Sequence, residues 1–217
     1  MLSATLNLYR NAYTGLSRRM WLLAVVMLIN RSGTMVLPFM TLYCKHIGYS
    51  TQQAGYVVAI YGMGALTGAF IGGKISDRFG FYYTQFFALF CGGILFMMLG
   101  LMNSYFSICI VTFFLSMVNE SFRPANATAI AHYSTVQNRT QAFSIIRLAI
   151  NLGWGVGSAL GGLLASINYH LLFLGGWCYQ YCSIFYIIMV ITKSKCCPTT
   201  KSPDNCASYK SKASIYR

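Results

Sequence analysis

Six stretches of this chain are each long and apolar enough to cross a bilayer: Met20–Tyr43, Gln53–Ile75, Tyr82–Met102, Tyr105–Ala131, Gln141–Ser166 and Tyr169–Thr192. A helix rises about 1.5 Å per residue, so a hydrocarbon core about 30 Å thick needs about 20 mostly apolar residues. No water in that core can satisfy free N–H and C=O groups, so each segment must close its own backbone hydrogen bonds as a helix. The expected fold is an all-α integral membrane protein with six transmembrane helices, and its first partner is the lipid bilayer. Composition agrees, with 56% hydrophobic and 9% charged residues among 217. Soluble domains carry about a quarter charged residues. An ordinary cytosolic enzyme and a disordered chain are both excluded as readings.

Around the bundle at 20–192 lie two shorter regions. Residues 1–19 mix polar positions with Leu2, Leu6, Leu8, Tyr9, Tyr13 and Leu16, which suits a cytoplasmic segment with an interfacial helix. Residues 193–217 are rich in Ser, Lys, Thr and Cys, and read as a basic, disordered cytoplasmic tail.

The formal charge is +13, from 16 Lys and Arg against 3 Asp and Glu. In a soluble protein such an excess points to nucleic acid. Here it sorts by loop instead. Arg10, Arg18 and Arg19 precede the first span, Lys74 and Arg78 flank the second connection, and Arg139 lies in the fourth. The tail holds Lys193, Lys195, Lys201, Lys210, Lys212 and Arg217. Lys45 alone marks the first connection, and the turns at Asn103-Ser104 and Asn168 have no basic residue. Basic loops stay cytoplasmic, so the expectation is a multi-pass protein of the inner (plasma) membrane with both termini inside, and no nucleic-acid partner.

The eight cysteines show no zinc-site spacing. There is no nucleophile elbow or phosphate loop, and three acids leave little for acid–base chemistry. No metal, cofactor or enzyme activity is expected.

Two glycine ladders carry more information. Gly64, Gly68 and Gly72 recur at spacing four, as do Gly153, Gly157 and Gly161. Small residues on one helix face let another backbone approach closely. The plain reading is helix packing, and it is compatible with helices that rock against a partner.

Four ionisable residues fall inside the spans: Arg31, Glu120, Arg123 and Arg147. Each costs at least ~2.5–3.5 kcal/mol near mid-bilayer, so such groups face a bundle interior or a wet cavity. Arg31 lies roughly 16 Å into the membrane by helix rise. Glu120 and Arg123 are three apart, hence on one helix face, and are expected to pair. That pair could simply neutralise itself. Arg31 and Arg147 would then lack any other membrane acid, and a net positive cavity suits an anionic or polar small-molecule substrate. Glu120, the sole membrane carboxylate, is a candidate proton carrier. Asn30, Asn126, Asn151 and Gln137 could add polar contacts, while His132 reads as interfacial.

Between the second and third spans stands Gly73-Lys-Ile-Ser-Asp77-Arg78-Phe-Gly80. This Gly-x-x-x-Asp-Arg-x-Gly pattern resembles the signature loop of the major facilitator superfamily, in sequence and in position. Arg123-Pro-Ala-Asn126-Ala127 resembles that superfamily's arginine motif on helix 4. Gly153-x-x-x-Gly157-Ser158-x-x-Gly161-Gly162 resembles its glycine-rich motif on helix 5, associated with exporters. The run from Asn30-Arg31 through Gly33 to Pro38-Phe39 is similar to bacterial efflux-type members. Phe81 and Tyr82 stand where the signature loop usually continues with basic residues, and Ser158 where helix 5 usually has Pro.

The resemblance covers residues 18–192 and implies one half, the N-terminal six helices, of a twelve-helix fold. It further implies transport by alternating access, with Gly73, Asp77, Arg78 and Gly80 as a gating loop. Asp77 would contact the other half, from the same or a separate chain. Substrate and protons would pass Arg31, Glu120, Arg123, Arg147 and Asn126. The abrupt change of composition after Thr192 gives the expectation of a truncated reading frame. A non-transporting six-helix scaffold is the alternative.

Overall fold

Ser50 starts the first of the long helices. Its hydroxyl accepts from the Gln53 N–H, and the Gln53 side chain accepts from the Ser50 N–H, a reciprocal capping box. The computed structural model describes residues 15–34 and 36–195, with side-chain surroundings for 15–34 and 39–188. Most of the expected N-terminal interfacial helix and nearly all of the expected disordered tail lie outside the described residues.

The described residues form seven helices: α1 (Arg18–Gly33), α2 (Val36–His46), α3 (Thr51–Phe79), α4 (Phe81–Leu101), α5 (Tyr105–Tyr133), α6 (Arg139–Ile167) and α7 (Tyr169–Lys195). Five of them, α3 to α7, have a length and apolarity suited to crossing a membrane. The expected first span differs, because it is broken into α1 and α2 at Thr34. The Thr34 N–H and hydroxyl both donate to the Arg31 carbonyl, at 3.3 and 2.7 Å. Pro38 has no N–H to offer the carbonyl four residues earlier, so a continuous helix through this point would leave that group unmet.

A second difference concerns the connection after α3. The expected loop is almost entirely helical: Gly73, Asp77 and Arg78 belong to the last turns of α3, and α4 begins at Phe81. Gly80 alone separates them, with φ 87° and its N–H donated to the Ser76 carbonyl. That left-handed backbone is open to glycine and costly for other residues, which is why the break falls there.

Helices pair by close approach. On α3, a methyl at Gly64, Gly68 or Gly72 would overlap Ser116 and Phe113, the Met117 backbone, or Ser121 of α5, respectively. On α6, a methyl at Gly153 would meet the Leu28 carbonyl at 2.8 Å, and one at Gly157 the Ser32 carbonyl at 2.7 Å, both on α1. A third pair, α4 with α7, was hidden by irregular spacing. Gly93 and Gly100 of α4 receive Tyr181 and Phe173, and Gly176 of α7 receives Phe96. In lipid there is no hydrophobic drive between helices, so backbone proximity supplies the packing.

Two apolar cores result. One gathers Met20, Leu23, Ala24, Val26, Met27, Ala88, Leu89, Phe122 and Ile130 with Ile145, Ile184 and Ile187. The other gathers Met40, Tyr43, Ala54, Phe96, Leu99, Ile108, Leu115 and Phe173. Between these two sets, α1 places buried Asn30, Arg31 and Ser32, α5 places Ser116, Asn119 and Glu120, and α7 places Gln180 and Ser183, with Gly92 and Gly93 on α4. This polar belt is the candidate site.

Candidate functional site

Glu120 sits at the centre. Its side chain is 11% exposed, and its Oε1 lies 3.6 Å from Arg31 Nη1. Its Oε2 accepts from Arg123 Nη1 at 3.2 Å. One carboxylate therefore bridges a buried arginine of α1, 7% exposed, and a largely exposed arginine of its own helix, 68% exposed. The cluster keeps one net positive charge.

The buried half of this bridge is loosely made. A 3.6 Å N···O separation is an ion pair and too long for a good hydrogen bond. Arg31 Nε is buried and has no hydrogen-bond partner among the described residues. A buried donor left unmet costs about 1–3 kcal/mol. The Arg31 Nε–H thus remains an unused donor close to the Glu120 carboxylate. Tyr61 of α3 lies within electrostatic reach of Arg31, Glu120 and Arg123.

The backbone of α5 is weakened at the same place. Pro124 lies inside this helix and cannot return a hydrogen bond to the carbonyl of Glu120, four residues earlier. Asn126, two residues on, is buried with its Oδ1 unpartnered among the described residues.

Beside the charges runs a buried amide chain. Asn30 Nδ2 donates to Gln180 Oε1 at 3.2 Å, and Gln180 Nε2 donates to Asn119 Oδ1 at 2.8 Å. Asn119 and Gln180 were not singled out from the sequence. Their signal was present, because an amide in an apolar run must find a partner or bear a desolvation cost of several kcal/mol.

The structure thus brings Arg31, Glu120 and Arg123 together and leaves Arg147 apart. Arg147 is exposed on α6 and joins no ion pair among the described residues. Asn151 is exposed on the same helix. His132 stacks near Phe81 and Tyr133, with ring centroids 5.4 and 5.1 Å away. Asp77 and Arg78 are exposed and enter no ion pair among the described residues. The Arg78 guanidinium lies 5.5 Å from the Phe79 ring. An acidic residue near the carbonyl end of a helix is unfavourable, so Asp77 is not placed there to stabilise α3.

The profile of the Major Facilitator Superfamily matches residues 20–192, and the chain belongs to that superfamily. It is a multi-pass membrane protein. Among its relatives is a protein of Lactococcus lactis subsp. lactis (strain IL1403) named "Multi-drug resistance efflux pump PmrA homolog". It is 22% identical over 175 residues, which cover 78% of this chain and 42% of that protein. The uncharacterized MFS-type transporter YttB of Bacillus subtilis (strain 168) is 28% identical over 184 residues, covering 79% of this chain and 43% of that one. Multidrug resistance protein 2 of the same organism is 26% identical over 140 residues, covering 64% and 35%. The chain spans less than half the length of the relatives it matches.

Proposed function

We propose that this chain forms the N-terminal half of a secondary active transporter, moving a small molecule by alternating access in the efflux direction, with proton coupling. A second six-helix half, from the same or a separate chain, completes the pathway. Both termini face the cytoplasm of a bacterial inner membrane.

The observation that carries this reading is the under-satisfied charge cluster. Arg31, with an unmet Nε and a long ion pair, sits beside a carboxylate on a proline-weakened helix. That arrangement is poor as a lock and suited to exchanging partners, whether substrate, water or proton. Arg123, Asn126 and, more remotely, Arg147 extend the polar path. Asp77 and Arg78 at the end of α3, with Gly73 and Gly80, form the gate toward the second half. The family and the efflux name of one relative support the same reading.

A non-transporting scaffold finds less support. It would use the glycine ladders to bind a partner, yet Gly64, Gly68, Gly72, Gly153 and Gly157 are already covered by α5 and α1.

The test is movement of calcein, an anionic dye, under an imposed pH gradient. Vesicles would carry the full chain alone, or the chain with the second half of the Lactococcus lactis relative. Gradient-driven flux is expected in at least one case. Arg31→Gln and Glu120→Gln should each lower it by about tenfold or more, the equivalent of losing one charged contact. Flux indifferent to both substitutions would refute the roles given to these residues.

A further inference from the structure

The geometry points to Gln180 as a positioning residue that holds Arg31 onto Glu120. It lies on α7, is 1% exposed, and hydrogen-bonds to neither charge among the described residues. Its two bonds go to Asn30 at 3.2 Å and Asn119 at 2.8 Å. These are the residues immediately before Arg31 and Glu120 in the chain. A helix turns about 100° per residue, so fixing one position fixes the direction of the next. A single glutamine thereby sets the rotation of both helices that carry the ion pair.

The clasp matters because α1 and α5 touch each other directly over only a short stretch. Each packs mainly elsewhere, α1 on α6 and α7, α5 on α3 and α4. Without Gln180, the 3.6 Å approach of Arg31 to Glu120 would rest on that short contact. The fold also makes room for the clasp. A methyl at Gly92 of α4 would meet Asn119 Oδ1 at 2.8 Å and Gln180 Nε2 at 3.2 Å. Four helices thus converge on two amide bonds. A purely apolar glutamine substitute would pack as well and would lose both bonds, leaving two buried amides to seek other partners. The consequence for transport rests on the function proposed above; the positioning itself does not.

The chain contains a single glutamate, Glu120, which makes the test selective. The full chain in lipid vesicles, with 13C in glutamate and 15N in arginine, reports carboxyl-to-guanidinium proximity by dipolar solid-state NMR. An Arg123→Gln background removes the neighbour on the same helix, so the remaining contact is Arg31. That contact is expected to be present with Gln180, to fall to background in Gln180→Met, and to weaken in Gly92→Ala. It should persist in Leu89→Ala, which opens an ordinary apolar hole nearby.

A contact that survives Gln180→Met overturns the proposal. So does an equal loss in Leu89→Ala, because the contact would then report only general loosening. Should Gln180→Met fail to fold, an undiminished contact in Gly92→Ala is the overturning result. Loss of the contact with unchanged calcein flux, measured in the same series with Arg123 restored, would uphold the positioning role and sink the transport role of the ion pair.

Discussion

The glycine ladders and the polar belt both hold helices together where water supplies no drive, and they do so in opposite ways. On the ladders the helices touch through backbone. Gly68 lies against the Met117 peptide and Gly157 against the Ser32 carbonyl, with no room for a methyl. In the belt the helices touch through long polar side chains: Arg31 to Glu120, and Asn30 through Gln180 to Asn119. The ladder tolerates no added volume but depends on no charge. The belt depends on matched polar groups, and at Arg31 the match is incomplete. A helix pair fixed by backbone contact has one close-packed position. A pair fixed by side chains can exchange partners.

Substitutions can break or sharpen that contrast. The largest effect is expected for Glu120→Gln, which leaves Arg31, 7% exposed, without its counter-charge. Breaking a buried pair from one side costs about 3–5 kcal/mol. Denaturant titration in detergent micelles would read this as a loss of stability, and Arg31→Gln in the same chain should restore part of it. A ladder substitution comes next. Gly68→Ala drives a methyl into the Met117 backbone, and overpacking of this kind costs about 1–3 kcal/mol. It should be insensitive to salt and to changes at the belt. If it proves partly rescued by Glu120→Gln, the two regions are not independent and the contrast fails.

Smaller effects mark the edges. Arg123→Gln removes an ion-pair partner that is 68% exposed, so its stability cost should stay below about 1 kcal/mol once screening is allowed for. Its effect on calcein flux should exceed its effect on thermal unfolding, and the reverse order would make Arg123 a structural residue. The smallest change is expected for Gly155→Ala on α6. Nothing lies within 4 Å of the added methyl, and alanine is the better helix former by about 1 kcal/mol. A melting temperature equal to or above that of the parent is expected. A clear loss would mean that an unseen partner covers this side of α6.

The same contrast explains which parts could be read from the sequence. The ladders were legible because equal spacing puts every glycine on one face, and spacing is a property of sequence. The ion pair within α5 was legible for the same reason, Glu120 and Arg123 being three residues apart. Arg31 joining them depends on how α1 rotates against α5, and no local pattern specifies that. Gln180 is one amide in an apolar run, and its two partners lie 150 and 61 residues away. The packing of α4 on α7 used glycines at 92, 93, 100 and 176, which share no period. The break at Thr34 was also missed. Composition saw one apolar stretch, whereas backbone chemistry at Pro38 divides it. The reach of α3 through Asp77 and Arg78 went unseen because charged residues look like a loop, while only Gly80 has the conformation to end the helix.

That last feature also bears on how the chain is made. With a single residue between α3 and α4, the two segments have no slack to enter a bilayer one at a time. A turn this short favours entry of the two helices together, as a hairpin. Lys74, Asp77 and Arg78 cluster just before its tip and would resist being drawn through the hydrocarbon.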